Sequence, residues 1–145
     1  VTVGALLLLL LAVGSAAAGG NGVATQFEAV DYACASGNIV VSDEPLIAGT
    51  SVLNDAIQEP GEKTFLLDVT LFPAAYPGST WDAPGHGVDT PDGGYIVHHR
   101  GSGTGALEGG KIVFKATPAE DLQDSPCETL LFAAKLKGVI ILPPE

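Results

Sequence analysis

The chain has 145 residues, 17 acidic against 6 basic side chains and a net charge of −11. An acidic surface of this strength repels phosphate backbones and excludes a nucleic-acid-binding role. The length suits a single domain with one buried core.

The chain opens on the uncharged stretch VTVGALLLLLLAVGSAAA, with an unbroken leucine run from Leu6 to Leu11 and the small residues Ala16, Ala17 and Ala18 after it. This is the apolar region and cleavage site of a secretory signal peptide. The apolar run is about 13 residues, against the roughly 20 needed to span a bilayer. The expectation is therefore a signal peptide over residues 1–18 and a mature domain over 19–145, secreted to the periplasm or the extracellular space, with no membrane association after cleavage. Gly19–Gly22 reads as a flexible mature terminus. Cys34 and Cys127 are the only cysteines. In an exported protein such a pair predicts a disulfide. It would close a loop of about 93 residues, worth about 4–5 kcal/mol on chain entropy.

Strands are expected at Val23–Val30, at Asn38–Ser42 and over Pro45–Thr50. The following SVLNDAIQ, Ser51–Gln58, has the length for two helical turns. TFLLDVTLF then alternates cleanly, with Phe65, Leu67, Val69 and Leu71 on one side and Thr64, Asp68 and Thr70 on the other, as a half-buried strand requires. Pro60-Gly61 and Pro91-Asp92-Gly93-Gly94 are turn signals. Between Pro73 and Gly94 the chain is rich in proline and glycine and reads as a long loop.

GYIVHHR and KIVFKAT are two further strands, the second with Ile112 and Phe114 opposite Lys111, Val113 and Lys115. Between them lies GSGTGALEGGKI, Gly101–Ile112, one residue from a phosphate-binding loop. The Ser or Thr that would hold magnesium is replaced by Ile112, and a strand pattern follows where a helix is required. The stretch is therefore a glycine-rich turn: Gly101, Gly103 and Gly105 supply positive φ or a bulge, Leu107 is an apolar anchor, and Gly109-Gly110 turns the chain. Thr117-Pro118-Ala119-Glu120 matches a helix-capping box. The last strand, TLLFAAKLKGVIIL, places Leu130, Phe132, Ala134, Leu136 and Ile140 on one face and Lys135 and Lys137 on the other, and Pro143-Pro144 ends it.

Many short strands, glycine-rich turns and few helix signals give an all-β fold, a single antiparallel β-barrel or alternatively a β-sandwich. Its interior is expected to hold Phe65, Leu67, Val69, Leu71, Phe114, Phe132 and Leu136.

The segment GSGTGALEGGKIVFKA resembles the G-x-G-T-G-x-L-x-G strand–turn–strand of secreted bacterial β-barrel proteins without an assigned activity. More distantly it resembles the corresponding part of the allene oxide cyclase/dirigent-like barrels. The resemblance covers about sixteen residues and implies an eight-stranded antiparallel barrel with an apolar interior. No cyclase or dirigent catalytic residue maps onto this chain.

The densest polar region is Trp81–Arg100, with all three histidines and the only tryptophan. Trp81, His86, His98, His99 and Arg100 are the candidate ligand contacts. Histidine with nearby aspartate suits zinc or copper, but His98 and His99 are adjacent on a strand and face opposite sides, so one alone can join His86. A solvated acidic loop with edge histidines is the plain alternative. No serine sits in a nucleophile elbow, since Arg100 and Thr104 occupy the glycine positions around Ser102. Asp89 and Asp92 lack calcium-loop spacing, and Glu120, Asp121 and Asp124 read as a solvated loop. No catalytic residue, metal or other cofactor is assigned. The expected role is non-catalytic binding of a small apolar molecule or a surface partner. Alternatives are a cyclase- or isomerase-like barrel enzyme with a buried His and Arg, and a His/Asp metal-binding module.

Overall fold

The computed structural model describes residues 22–144. The signal-peptide segment and all of the terminal glycine stretch but Gly22 lie outside them. Nine strands run in chain order: β1 Val23–Cys34, β2 Gly37–Ser42, β3 Gly49–Ile57, β4 Thr64–Pro73, β5 Trp81–Ala83, β6 Gly85–Asp89, β7 Tyr95–Gly103, β8 Lys111–Pro118 and β9 Leu130–Leu142. Every pairing is antiparallel. Both β5 and β6 lie between β4 and β7. They are one wall position interrupted at Pro84, which cannot donate to a ladder. The wall therefore has eight positions in sequence order, and β9 closes on β1 from Val23–Leu142 to Cys34–Leu130. This is an up-and-down β-barrel, not a sandwich, and closure leaves no long free edge.

The core sits inside the barrel and fills one end of it. Phe27, Leu46, Ile47, Leu71, Trp81, Leu107, Ile112 and Ile140 are all buried in the main cluster. The segment after β2 turns inward at Glu44, whose carbonyl accepts from the backbone N–H of Ile47 and Ala48. Leu46 and Ile47 thereby plug the end, and the Leu46 carbonyl accepts a 2.9 Å hydrogen bond from Trp81 Nε1. Leu107 seals the same end from the β7–β8 connection, where Gly105–Leu107 forms one 3-10 turn. Gly105 and Gly109 take φ of 61° and 87° there, as the turn requires. No helix follows Lys111. Gly101 and Gly103 lie within β7 without positive φ, packed against the backbone of Asp82 and Leu107.

Four local expectations are corrected. Ser51–Gln58 is not helical: it continues β3, paired with β4 from Gly49–Pro73 to Ile57–Leu66 through an irregularity at Asn54. The ladder outweighs a two-turn helix, too short to be stable by itself. Of Pro45–Thr50 only Gly49 and Thr50 are strand, because Pro45–Ile47 form the plug. Pro73–Gly94 is not one loop but carries β5 and β6. Thr117 and Pro118 end β8 opposite Lys135 and Ala134, so the capping-box match opens no helix.

Cys34 and Cys127 are disulfide-bonded, their Cα atoms 5.2 Å apart. Both belong to a small second core on the outer side of β1 and β9, around Tyr32, Cys34 and Ala133 with Ala119 and Leu130. The bridge pins the β8–β9 connection to the wall. Among the described residues no helix is long and apolar enough to cross a membrane.

Candidate functional site: the open end of the barrel

The end opposite the plug is unfilled. A cavity of about 190 Å³ lies there, walled by Leu67, Val69, Leu71 and Phe65 of β4, Val97 of β7, Phe114 and Ala116 of β8 and Ala134 and Leu136 of β9. Leu53 and Phe132 stand at its mouth, 46 % and 57 % exposed. Phe132 thus keeps the inward register expected of it, but rims the opening and is not sealed in the core.

Strand β6 makes room for two of the rings. Its inward positions are Gly85 and Gly87. A Cβ on Gly85 would lie 2.6 Å from the His99 ring, and one on Gly87 would collide with the ring of Phe65. Both rings fold over bare backbone. His99 is 2 % exposed. Its ring stacks on Phe114 with centroids 4.6 Å apart. Its Nδ1 lies 2.9 Å from the Ala83 carbonyl. A carbonyl only accepts, so Nδ1 carries the proton, and the neutral ring keeps Nε2 as an acceptor. Burial pushes the imidazole pKa below its usual value, against a smaller opposing effect of the Ala83 bond.

The polar pole of the cavity is Asp31 of β1, with Asn38 of β2 and Tyr95 of β7 on the same lining. Ser51 Oγ donates to Asp31 Oδ2 at 2.7 Å. Asp31 Oδ1 is buried without a hydrogen-bond partner. Desolvation raises the Asp31 pKa, and the Ser51 bond offsets only part of that rise. Tyr95 is pushed up as well, first by burial and then by the nearby Asp31 charge. No lysine or arginine lines the cavity.

The five residues singled out from the sequence part company here. His99 alone reaches the cavity. Trp81 is fully buried in the plug at the other end. His86, His98 and Arg100 are exposed on the outer face. His86 and His98 are register partners across β6 and β7, so they are neighbours, but outside the barrel. Among the described residues no group of three or more His, Cys, Asp or Glu is placed to hold a metal ion. Asp31, Ser51, Asn38 and Tyr95 were not singled out. The available signal was period two in β1: Phe27, Ala29, Asp31 and Ala33 share a face, which puts a carboxylate among apolar inward positions.

Comparison with protein families, with curated proteins and with solved structures finds no match to this chain.

Proposed function

We propose that this protein is an exported β-barrel that binds one small, mainly apolar molecule in the open end of the barrel and does no chemistry on it. The observation that carries this reading is the cavity itself: apolar walls from β4, β7, β8 and β9, a mouth of exposed Leu53 and Phe132, and a single polar pole. Binding sites are commonly concave, mainly apolar and equipped with a few polar groups that orient the ligand. At about 190 Å³ the space is somewhat larger than the roughly 150 Å³ engineered cavity that takes benzene. It suits one ring or a short chain. Export rests on the leader-like segment and the single disulfide. Kinship with the dirigent-like barrels rests on the Gly101–Ala116 resemblance and the eight-position wall.

The test is displacement of a hydrophobic dye, with native mass spectrometry for stoichiometry. Ala134→Phe projects a ring into the cavity. The variant should stay folded and lose at least about tenfold in dye affinity, as overfilling a preformed pocket predicts. Unchanged dye binding in that variant would place the dye elsewhere and remove the reading.

One observation supports a second reading, a cyclase- or isomerase-like enzyme. The neutral His99 imidazole stands on the cavity wall with Nε2 unbonded, as a general base requires. Arg100 takes no part, since it faces solvent.

A further inference from the structure

The chemistry of the ligand follows from the polar pole, on the premise that the cavity is the binding site. A carboxylate taken out of water needs a partner for each oxygen. Asp31 has one, Ser51, for Oδ2. Its Oδ1 is buried and unbonded. All six lysines and arginines of the chain lie outside the cavity lining. Lys135 and Lys137, the closest along β9, turn outward to Glu28 at 3.5 and 3.9 Å. The protein thus holds a half-buried acid at the ligand site and supplies no cation for it. The groups around the pole, Ser51, Asn38 and Tyr95, are neutral. Aromatic rings line the approach: Phe65, Tyr95 and Phe132, whose faces attract a cation. The net charge of −11 raises the local concentration of cations around the barrel and disfavours anions.

We infer that the cavity takes a small hydrophobic amine, whose ammonium group pairs with the Asp31 carboxylate and whose apolar body lies among Phe65, Val97, Phe114 and Leu136. A ligand carboxylate is rejected at that pole by like charge. A neutral alcohol can hydrogen-bond to that carboxylate but leaves its charge uncompensated.

Three one-ring probes of nearly equal shape separate the possibilities: benzylamine, benzyl alcohol and benzoate, titrated by calorimetry into the mature protein near neutral pH. Benzylamine should bind at least about tenfold more tightly than benzyl alcohol, as charge-pair couplings in desolvated sites allow, and benzoate should not bind. Asp31→Asn should bring amine and alcohol within about twofold of each other, with Asp31→Ala as a second variant. Circular dichroism verifies that each is folded. Benzyl alcohol binding the intact protein as tightly as benzylamine would overturn the amine assignment and leave the cavity as an apolar site. An amine preference that survives in the folded Asp31 variants would overturn it too, since the acidic surface would then be its source. If none of the three probes binds and no dye is displaced, the binding reading of the cavity falls along with this inference.

Discussion

Asp31 and His99 face the same interior, and burial moves their pKa values in opposite directions. Each shift makes a stability prediction. For Asp31 the folded pKa lies above the unfolded value near 3.8. Between the two, the folded chain still holds a proton that the unfolded chain has released. Stability therefore falls as pH rises through that window and stays reduced above it. Asp31→Asn keeps an acceptor for Ser51 and removes the desolvated charge. Without ligand it should be more stable than the parent at neutral pH by about 1 kcal/mol. Urea unfolding checks this, and the gain should shrink as pH falls through that window toward 3.8 and be lost below it. For His99 the folded pKa lies below 6.5. As pH drops under that value the unfolded chain takes up a proton that the folded ring refuses, so stability declines from 6.5 downward to the lowered value. His99→Gln, which retains a donor for Ala83, should flatten the urea midpoint over that range. An equally steep decline in the variant would show that other groups carry it.

At the scale of the element, the broken strand β5–β6 is the device that shapes the cavity. Pro84 interrupts the ladder, and Gly85 and Gly87 leave the inner surface bare where His99 and Phe65 need it. Gly85→Ala should displace the His99 ring and cost about 1–3 kcal/mol, as overpacking does. Urea unfolding should record the loss, together with a change in the His99 imidazole resonances. If the alanine is neutral and the resonances are unmoved, the ring does not depend on that glycine. Element-level reading worked where period two was long and clean. In β4, Phe65, Leu67, Val69 and Leu71 all line the cavity as their alternation requires. In β8, Ile112 and Phe114 are buried. It stopped short in β1, whose apolar alternation is broken by Asp31, and ending that strand at Val30 hid the pole of the site. It misassigned Ser51–Gln58 because an exposed half-strand with Asn54 and Asp55 carries little β signal. Only pairing with β4 makes that segment extended, and Ser51 reaches Asp31 only because it is.

For the whole molecule, the closing seam between the first and last strands is reinforced by the disulfide. Cys34 ends β1, and Cys127 ties the β8–β9 connection to it. A bridge of sequence separation 93 contributes about 4–5 kcal/mol in the chain-entropy model. Replacing both cysteines by alanine should lower the midpoint of thermal unfolding by about 10–20 °C. Calorimetry measures it directly, and a shift under about 3 °C would mean that the seam holds without the bridge. The plug at the other end is independent of this, since Leu46, Ile47, Trp81 and Leu107 belong to the main core.

What the sequence determined by itself is whatever local periodicity and turn chemistry encode: an all-β chain, its glycine-rich turn between β7 and β8, the inward faces of its cleanest strands, and the two cysteines that pair. Tertiary structure alone decided which end of the barrel is filled and which polar groups meet inside. Asp31 and Ser51 are 20 residues apart and join through the β2 and β3 pairings. Whether a barrel position is packed or hollow depends on the summed volume of side chains from all eight wall positions. No stretch of chain carries that sum, so the cavity and its unpaired acid exist only in the closed fold.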